Sequence, residues 1–182
     1  MIKTARIVLL RGHEIDHVQT LRLKAKLRHL RKVRRPFYLT GAELGEILRW
    51  KFGQKARSGR YRREASMEDV IRNVTSVALT ITHSDKDYEL ELRVSILCAL
   101  REVSIMVASA ILALAFPDEY AVIDFRVWRQ LFGKRKYAFS ISDYRKYMRV
   151  MRVLAEQLGW PVQEVDHAIW EYDRRKSRAP WP

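Results

Sequence analysis

One cysteine, Cys98, stands in a chain of 182 residues, so no intramolecular disulfide can form and neither a thiolate zinc site nor an iron–sulfur cluster can be built from it. Cys98 sits in an apolar run and reads as inert core. Acidic residues are also scarce: 21 Asp+Glu against 35 Lys+Arg leave a net charge of +14, which makes polyanions the expected partners. No Pro/Gly/Ser linker, internal repeat or low-complexity tract interrupts the chain, which argues for one folded unit over 1–182. No apolar run is long enough to span a bilayer. The first ten residues carry too short an apolar run for a signal peptide and no small-residue cleavage site, so a cytoplasmic protein without membrane association is expected. A Gly-rich phosphate loop and a Ser/His/Asp constellation are missing as well. His13 and His17 are four apart with Glu14 and Asp16 between them, but no thiol and no third histidine stands nearby; the signal is weak, and neither metal nor cofactor is expected.

What is present reads as helices. Residues 13–35 place Ile15, Val18, Leu21, Ala25 and Leu30 at helical spacing among Lys24, Lys26, Arg28, Arg31, Lys32, Arg34 and Arg35; the basic face is either solvated or a phosphate-contacting edge. Thr40 with Glu43 forms a capping-box pattern that opens a helix over 41–52. Lys55 to Arg63 interleaves five cations with Tyr61, a composition suited to a loop that grips phosphates through Arg57, Arg60, Arg62 and Arg63 or is simply solvated. Ser66 with Asp69 is expected to cap a helix from Met67 to Thr82, with Val70, Val74, Val77, Ala78 and Ile81 buried, and His83–Asp87 is a polar turn. Ser140 or Ser142 opens a long helix with Tyr144, Tyr147, Met148, Met151, Leu154, Ala155 and Leu158 on one face and Gly159 as its stop. Pro161 at the first position starts a last helix to about Arg175, with Val165, Ile169 and Tyr172 inward and a loose tail from Arg174 to Pro182. Only Ala5–Leu10 could form a short strand, so the expected fold is all-α, a compact multi-helix domain.

The densest information lies in 97–133. Leu92, Ile96, Leu97 and Leu100 recur at helical spacing, Arg101–Ser104 breaks the run, and Ile105 to Phe116 forms a buried helix. Pro117, Asp118 and Glu119 end it, Tyr120–Ile123 is briefly extended, and Asp124 stands at the N-cap of a helix over 125–132 that stops at Gly133. The dipole of that helix favours an ionised carboxylate.

This order of turn, helix and aspartate resembles the helix-hairpin-helix DNA glycosylases, the relatives of endonuclease III and the adenine-specific mismatch glycosylase, over residues 89–133. In that family a Leu-Pro-Gly-Val-Gly turn leads into a helix, and an aspartate follows about twenty residues on; here the corresponding residues are Leu100-Arg101-Glu102-Val103-Ser104 and Asp124. The resemblance implies a DNA-glycosylase-like fold containing a helix-hairpin-helix element. It also implies a hairpin that meets double-stranded DNA at Val103, Ser104, Ile105 and Met106. Both family glycines are replaced, so backbone amides would approach a phosphate with side chains attached. The lysine of lyase-competent members falls on Met106, which cannot form a Schiff base, so the resemblance implies a monofunctional enzyme. Glu46 falls where the adenine-specific branch carries its base-protonating glutamate.

Hydrolysing a base off DNA requires the nucleotide to be flipped into a pocket and positive charge to develop on the sugar, which a fixed carboxylate stabilises while aligning water. Asp124 and Glu46 are the candidate catalytic residues, although Asp124 could serve as a cap alone. Trp50, Tyr38 and Trp128, with Phe37 and Tyr61 behind them, are candidate stacking surfaces or ordinary core, and Lys51, Arg126 and Arg129 candidate base or phosphate contacts. The expectation is therefore a monomeric DNA N-glycosylase without lyase activity, in repair or in defence against phage with modified bases. Its rival is a DNA-binding protein that keeps the fold without catalysis.

Overall fold

A computed structural model describes residues 18–53 and 67–176. The described chain is helical, with no strand: α1 (Val18–Val33), α2 (Gly41–Phe52), α3 (Glu68–Thr80), α4 (Lys86–Leu97), α5 (Ile105–Ala115), α6 (Phe125–Phe132), α7 (Ile141–Leu158) and α8 (Val162–Lys176). The candidate strand at Ala5–Leu10, the start of the first basic helix and the cationic loop with Arg57, Arg60, Arg62 and Arg63 lie outside the described residues.

Local chemistry explains the helix ends. Thr40 and Glu43 form the expected reciprocal box at α2, and Ser140 with Asp143 forms a second at α7. Gly133 and Gly159 close α6 and α7 in the left-handed conformation, at φ 75° and 63°, where a Cβ would be strained. Five expectations need correction. Met67, not Ser66, is the N-cap residue of α3, and it offers no side-chain cap. The inward face of α3 is Ile71, Thr75, Ala78 and Leu79, while Val70 and Val77 are exposed. Asp85 caps α4, so Lys86 and Asp87 are helical rather than turn. Pro161 precedes α8, and Arg174 to Lys176, expected loose, continue that helix.

Packing centres on α5. Every one of its residues from Val107 to Ala115 is buried, and it lies against α1, α2 and α4. Helix α8 packs on α6 and α7, and α4 packs on α7, which joins the two groups. All eight helices contribute to one contiguous apolar cluster. No described helix is long and apolar enough to cross a membrane.

The connection α4–α5 is a helix–turn–helix hairpin built without glycine. Its turn closes through Ala99, Leu100 and Val103 amides bonded to the carbonyls of Ile96, Leu97 and Leu100, and no non-glycine residue in the described chain has positive φ. Ordinary side chains are therefore sterically acceptable at Arg101, Glu102 and Ser104.

Candidate active site

After a turn at 117–119, residues 120–123 run without regular secondary structure through a buried interior, where unpaired backbone groups would be costly. Side chains from three helices satisfy them. Ser109 Oγ accepts the Ile123 N–H at 3.1 Å, Tyr144 Oη donates to the Ala121 carbonyl at 2.8 Å, and the Val122 N–H donates to Asp166 Oδ2 at 3.1 Å. Tyr120, at the start of this segment, donates its hydroxyl proton to the buried Glu89 carboxylate. The segment is thus held rigidly, and it delivers Asp124 to the start of α6. There Asp124 Oδ1 accepts the Arg126 N–H at 2.8 Å, while Oδ2 has no hydrogen-bond partner among the described residues.

Asp124 borders a cavity of about 270 Å³. One wall comes from α1 and the end of α2, through Gln19, Thr20, Trp50 and Lys51; the opposite wall is a face of α8, with Gln163, Asp166, His167, Trp170, Glu171 and Arg174. The Trp50 indole N–H donates to Thr20 Oγ1 at 2.9 Å, which fixes that ring across α1 and α2. Trp170 lies beside His167, the two rings tilted by 42°, and under the Arg174 guanidinium.

Asp166 is the most perturbed acid of the cavity. Burial pushes its carboxyl up to about 7, with a small further push from Asp124, against the hydrogen bonds from Tyr147 and Val122 and the charge of Lys51. Geometry points the same way. Tyr147 Oη lies 2.6 Å from Asp166 Oδ1 and 3.0 Å from the Val122 carbonyl, and a phenol has one proton to give. If Asp166 is neutral and donates to Tyr147, the phenol proton serves Val122 and every acceptor is satisfied. Lys51 shows the converse effect: burial drives its ammonium down from the usual lysine range, although Asp124 and Asp166 both favour the charge.

Of the sequence candidates, Asp124, Trp50 and Lys51 meet at this cavity. The others do not line it. Glu46 forms an ion pair with Lys26, its two oxygens 2.8 and 2.9 Å from the ammonium. Tyr38 lies under the guanidinium groups of Arg34 and Arg72, and Phe37 is core. Trp128 is buried against Phe132 and Phe139. Arg126 and Arg129 hold the fully buried Asp173 carboxylate, joined by Gln130, so that they tie α6 to α8. Val103 is buried in the hairpin turn, Ser104 is exposed at the N-cap of α5 and makes no side-chain cap bond, and Ile105 and Met106 are half-buried. Sequence reading missed the α8 wall. Its signal was available as polar residues and a tryptophan at 163, 166, 167, 170, 171 and 174, a helical stripe beside the apolar one.

Among the described residues no group of three or more His, Cys, Asp or Glu side chains is placed to hold a metal ion. Compared with known protein families, curated proteins and solved structures, the chain has no match to a family, to a curated protein or to a solved structure.

Proposed function

We propose that this chain is a DNA N-glycosylase that hydrolyses a flipped damaged or modified base from double-stranded DNA, with Asp124 as the catalytic carboxylate. The observation that carries the reading is the position of Asp124: a carboxylate at a helix N-terminus, anchored through one oxygen, with its other oxygen unclaimed beside an aromatic-walled cavity. At about 270 Å³ the cavity is at the small end of ligand pockets, which begin near ~300 Å³, and suits a planar ring rather than a large cofactor. Trp50 and Trp170 offer faces for a base. Asp124 Oδ2 would align the attacking water, and its charge would oppose the positive charge growing on the sugar as the glycosidic bond breaks. Exposed cations on α1, among them Arg22, Arg28 and Lys32, would take DNA phosphates. The protein would act as a cytoplasmic monomer, in repair or against phage DNA carrying modified bases.

The test is abasic-site formation, read by alkaline strand cleavage, on duplexes and genomic DNAs containing uracil, oxidised, alkylated and phage-type bases. Wild type should release one class of base, and Asp124→Asn should release at least a hundredfold less while binding DNA equally well. The glycine-free hairpin favours a second reading, a DNA-binding protein without catalysis. No base release from any substrate, with salt-sensitive binding unaltered in the variant, would replace the first reading with the second.

A further inference from the structure

Gln163 stands in the first turn of α8, where its backbone N–H donates to the Pro117 carbonyl at 3.0 Å. The residue is 2% exposed and lines the cavity. Comparably buried polar side chains, those of Thr75, Glu89, Arg93, Ser109, Asp166 and Asp173, are all hydrogen-bonded within the protein. The Gln163 carboxamide makes no hydrogen bond among the described residues. Its oxygen and nitrogen are not sealed in either, since the one enclosed, unpartnered side-chain nitrogen or oxygen among those residues is Arg145 Nε. For so buried a residue the space they reach is the cavity. A carboxamide withdrawn from bulk water without an internal partner costs stability, whereas a leucine would fill a similar volume at no such cost. The cavity wall therefore carries an acceptor and a pair of donors side by side, fixed on a helix and turned to the space assigned to a base. Lys51 faces that space from α2, also without a hydrogen bond or ion pair among the described residues, and its ammonium can only donate. Asp166, one turn on from Gln163, and Lys51 are close enough for their charges to act on each other.

We infer that Gln163 reads the hydrogen-bonding edge of the flipped base and that the cavity takes a pyrimidine. The inference rests on the reading that this cavity receives a nucleotide of DNA, and it names the class of base. A carboxamide pairs with any edge that sets a donor beside an acceptor. In uracil and its 5-substituted forms the N3–H donates to Gln163 Oε1 while Nε2 donates to the O4 carbonyl. In cytosine and its 5-substituted forms the carboxamide turns over, Oε1 accepting from the N4 amino group and Nε2 donating to N3. Both leave the O2 carbonyl as a third group in line, an acceptor that Lys51 serves. Purines fail at that third place: adenine and hypoxanthine present a carbon-bound hydrogen there, and guanine presents an amino donor that opposes Lys51. A cavity of about 270 Å³ also suits a single six-membered ring between Trp50 and Trp170 better than a fused pair. Position C5 lies off the edge that Gln163 reads, so a substituent there leaves the readout intact. A methyl group on N3 of uracil removes the donor and leaves the Gln163 oxygen unserved.

The experiment titrates the protein with free bases whose N1- or N9-methyl group stands for the sugar, followed by the indole N–H resonances of Trp50 and Trp170. The probes 1-methyluracil and 1-methylcytosine should bind at least tenfold more tightly than 9-methyladenine and than 1,3-dimethyluracil, which lacks the N3 donor. Gln163→Leu should bring both pyrimidines down to the affinity of 1,3-dimethyluracil and leave that probe unchanged, while melting no lower than wild type. Lys51→Met should weaken the same two pyrimidines severalfold and leave 9-methyladenine unchanged. A lower melting temperature in Gln163→Leu with all four probes weakened alike would make Gln163 part of the scaffold and overturn the proposal. Failure of 1-methyluracil to bind, equal affinity for 1,3-dimethyluracil or 9-methyladenine, or undiminished binding by Gln163→Leu overturns it as well. The probes carry no glycosidic bond, so the outcome does not depend on base release. Selective binding without release from any duplex removes the glycosylase step alone, and release from DNA without selectivity owed to Gln163 removes this inference alone.

Discussion

Asp166 and Tyr147 hold enough protons for both of their contacts, with each other and with the Val122 carbonyl, only if the aspartate is neutral, and that has a measurable consequence for folding. In the unfolded chain Asp166 ionises near 3.8; in the folded protein burial holds it protonated to about 7. Between these values the folded state binds a proton the unfolded state lacks, so stability falls as pH rises, by about 1.4 kcal/mol per unit at most. Asparagine reproduces the neutral form: its amide can donate to Tyr147 Oη while its oxygen accepts from Val122. Asp166→Asn should therefore melt with wild type near pH 4 and several degrees above it at pH 8, and calorimetry across that range checks it; equal melting temperatures at both pH values would mean an ionised Asp166. Lys51→Met should likewise raise the melting temperature at pH 7, because it removes a desolvated ammonium. Asp124 was legible in the sequence because capping is local. Asp166 was not, since its partners stand 44 and 19 positions away and only packing brings them to it.

Helix α6 is only eight residues long, too short to persist by its own hydrogen bonds, and it carries Asp124 at its first turn. It is secured at its N-terminus by that carboxylate, at its C-terminus by Gly133, and along its side by Asp173 of α8, which accepts from Arg126, Arg129 and Gln130. Asp173→Ala would leave two partly buried guanidinium groups without their shared acceptor, and we expect a loss of about 3 kcal/mol in urea denaturation. If α6 positions the carboxylate, base release should fall more than DNA affinity does. The helix ends were readable in the sequence wherever a cap states them, at Thr40, Asp124, Gly133, Ser140 and Gly159. The inward face of α3 was misread for a physical reason. Counting valines selects 70, 74 and 77, but Thr75 is admitted to the interior because its hydroxyl donates to the Ile71 carbonyl and accepts the Leu39 N–H. Hydrophobic period alone cannot register a polar side chain whose partners lie on another element.

Across the whole molecule the excess of cations is partly internal. Glu43, Glu89, Glu171 and Asp173 each sit nearly buried among arginines or lysines that join elements or cap their ends, and the charge left over is displayed on exposed surfaces such as α1. If α1 meets phosphates, Arg22→Ala and Arg28→Ala should each weaken DNA binding and flatten its dependence on salt by about one unit of the log–log slope. Acid should act on the internal share. Burial alone would raise the Glu89 carboxyl, but the His83 N–H, Lys86, Arg93 and Tyr120 together hold it down at about 2, and Arg174 and Arg175 hold Glu171 at about 2 as well. Both groups ionise near 4.5 when unfolded, so the stability they contribute is fully present above that pH and is lost as pH falls from 4.5 towards 2. Protonating the carboxylates also leaves the 35 cations unopposed, which adds repulsion across the surface. The melting temperature should therefore drop steeply below pH 4.5. Salt at 0.5 M should restore only the part owed to exposed repulsion, because screening reaches buried pairs poorly. Glu89→Gln separates the two contributions: it should melt lower than wild type at pH 7 yet lose less on acidification. An acid limb identical to wild type's in this variant would assign the acid sensitivity to net charge rather than to the buried network.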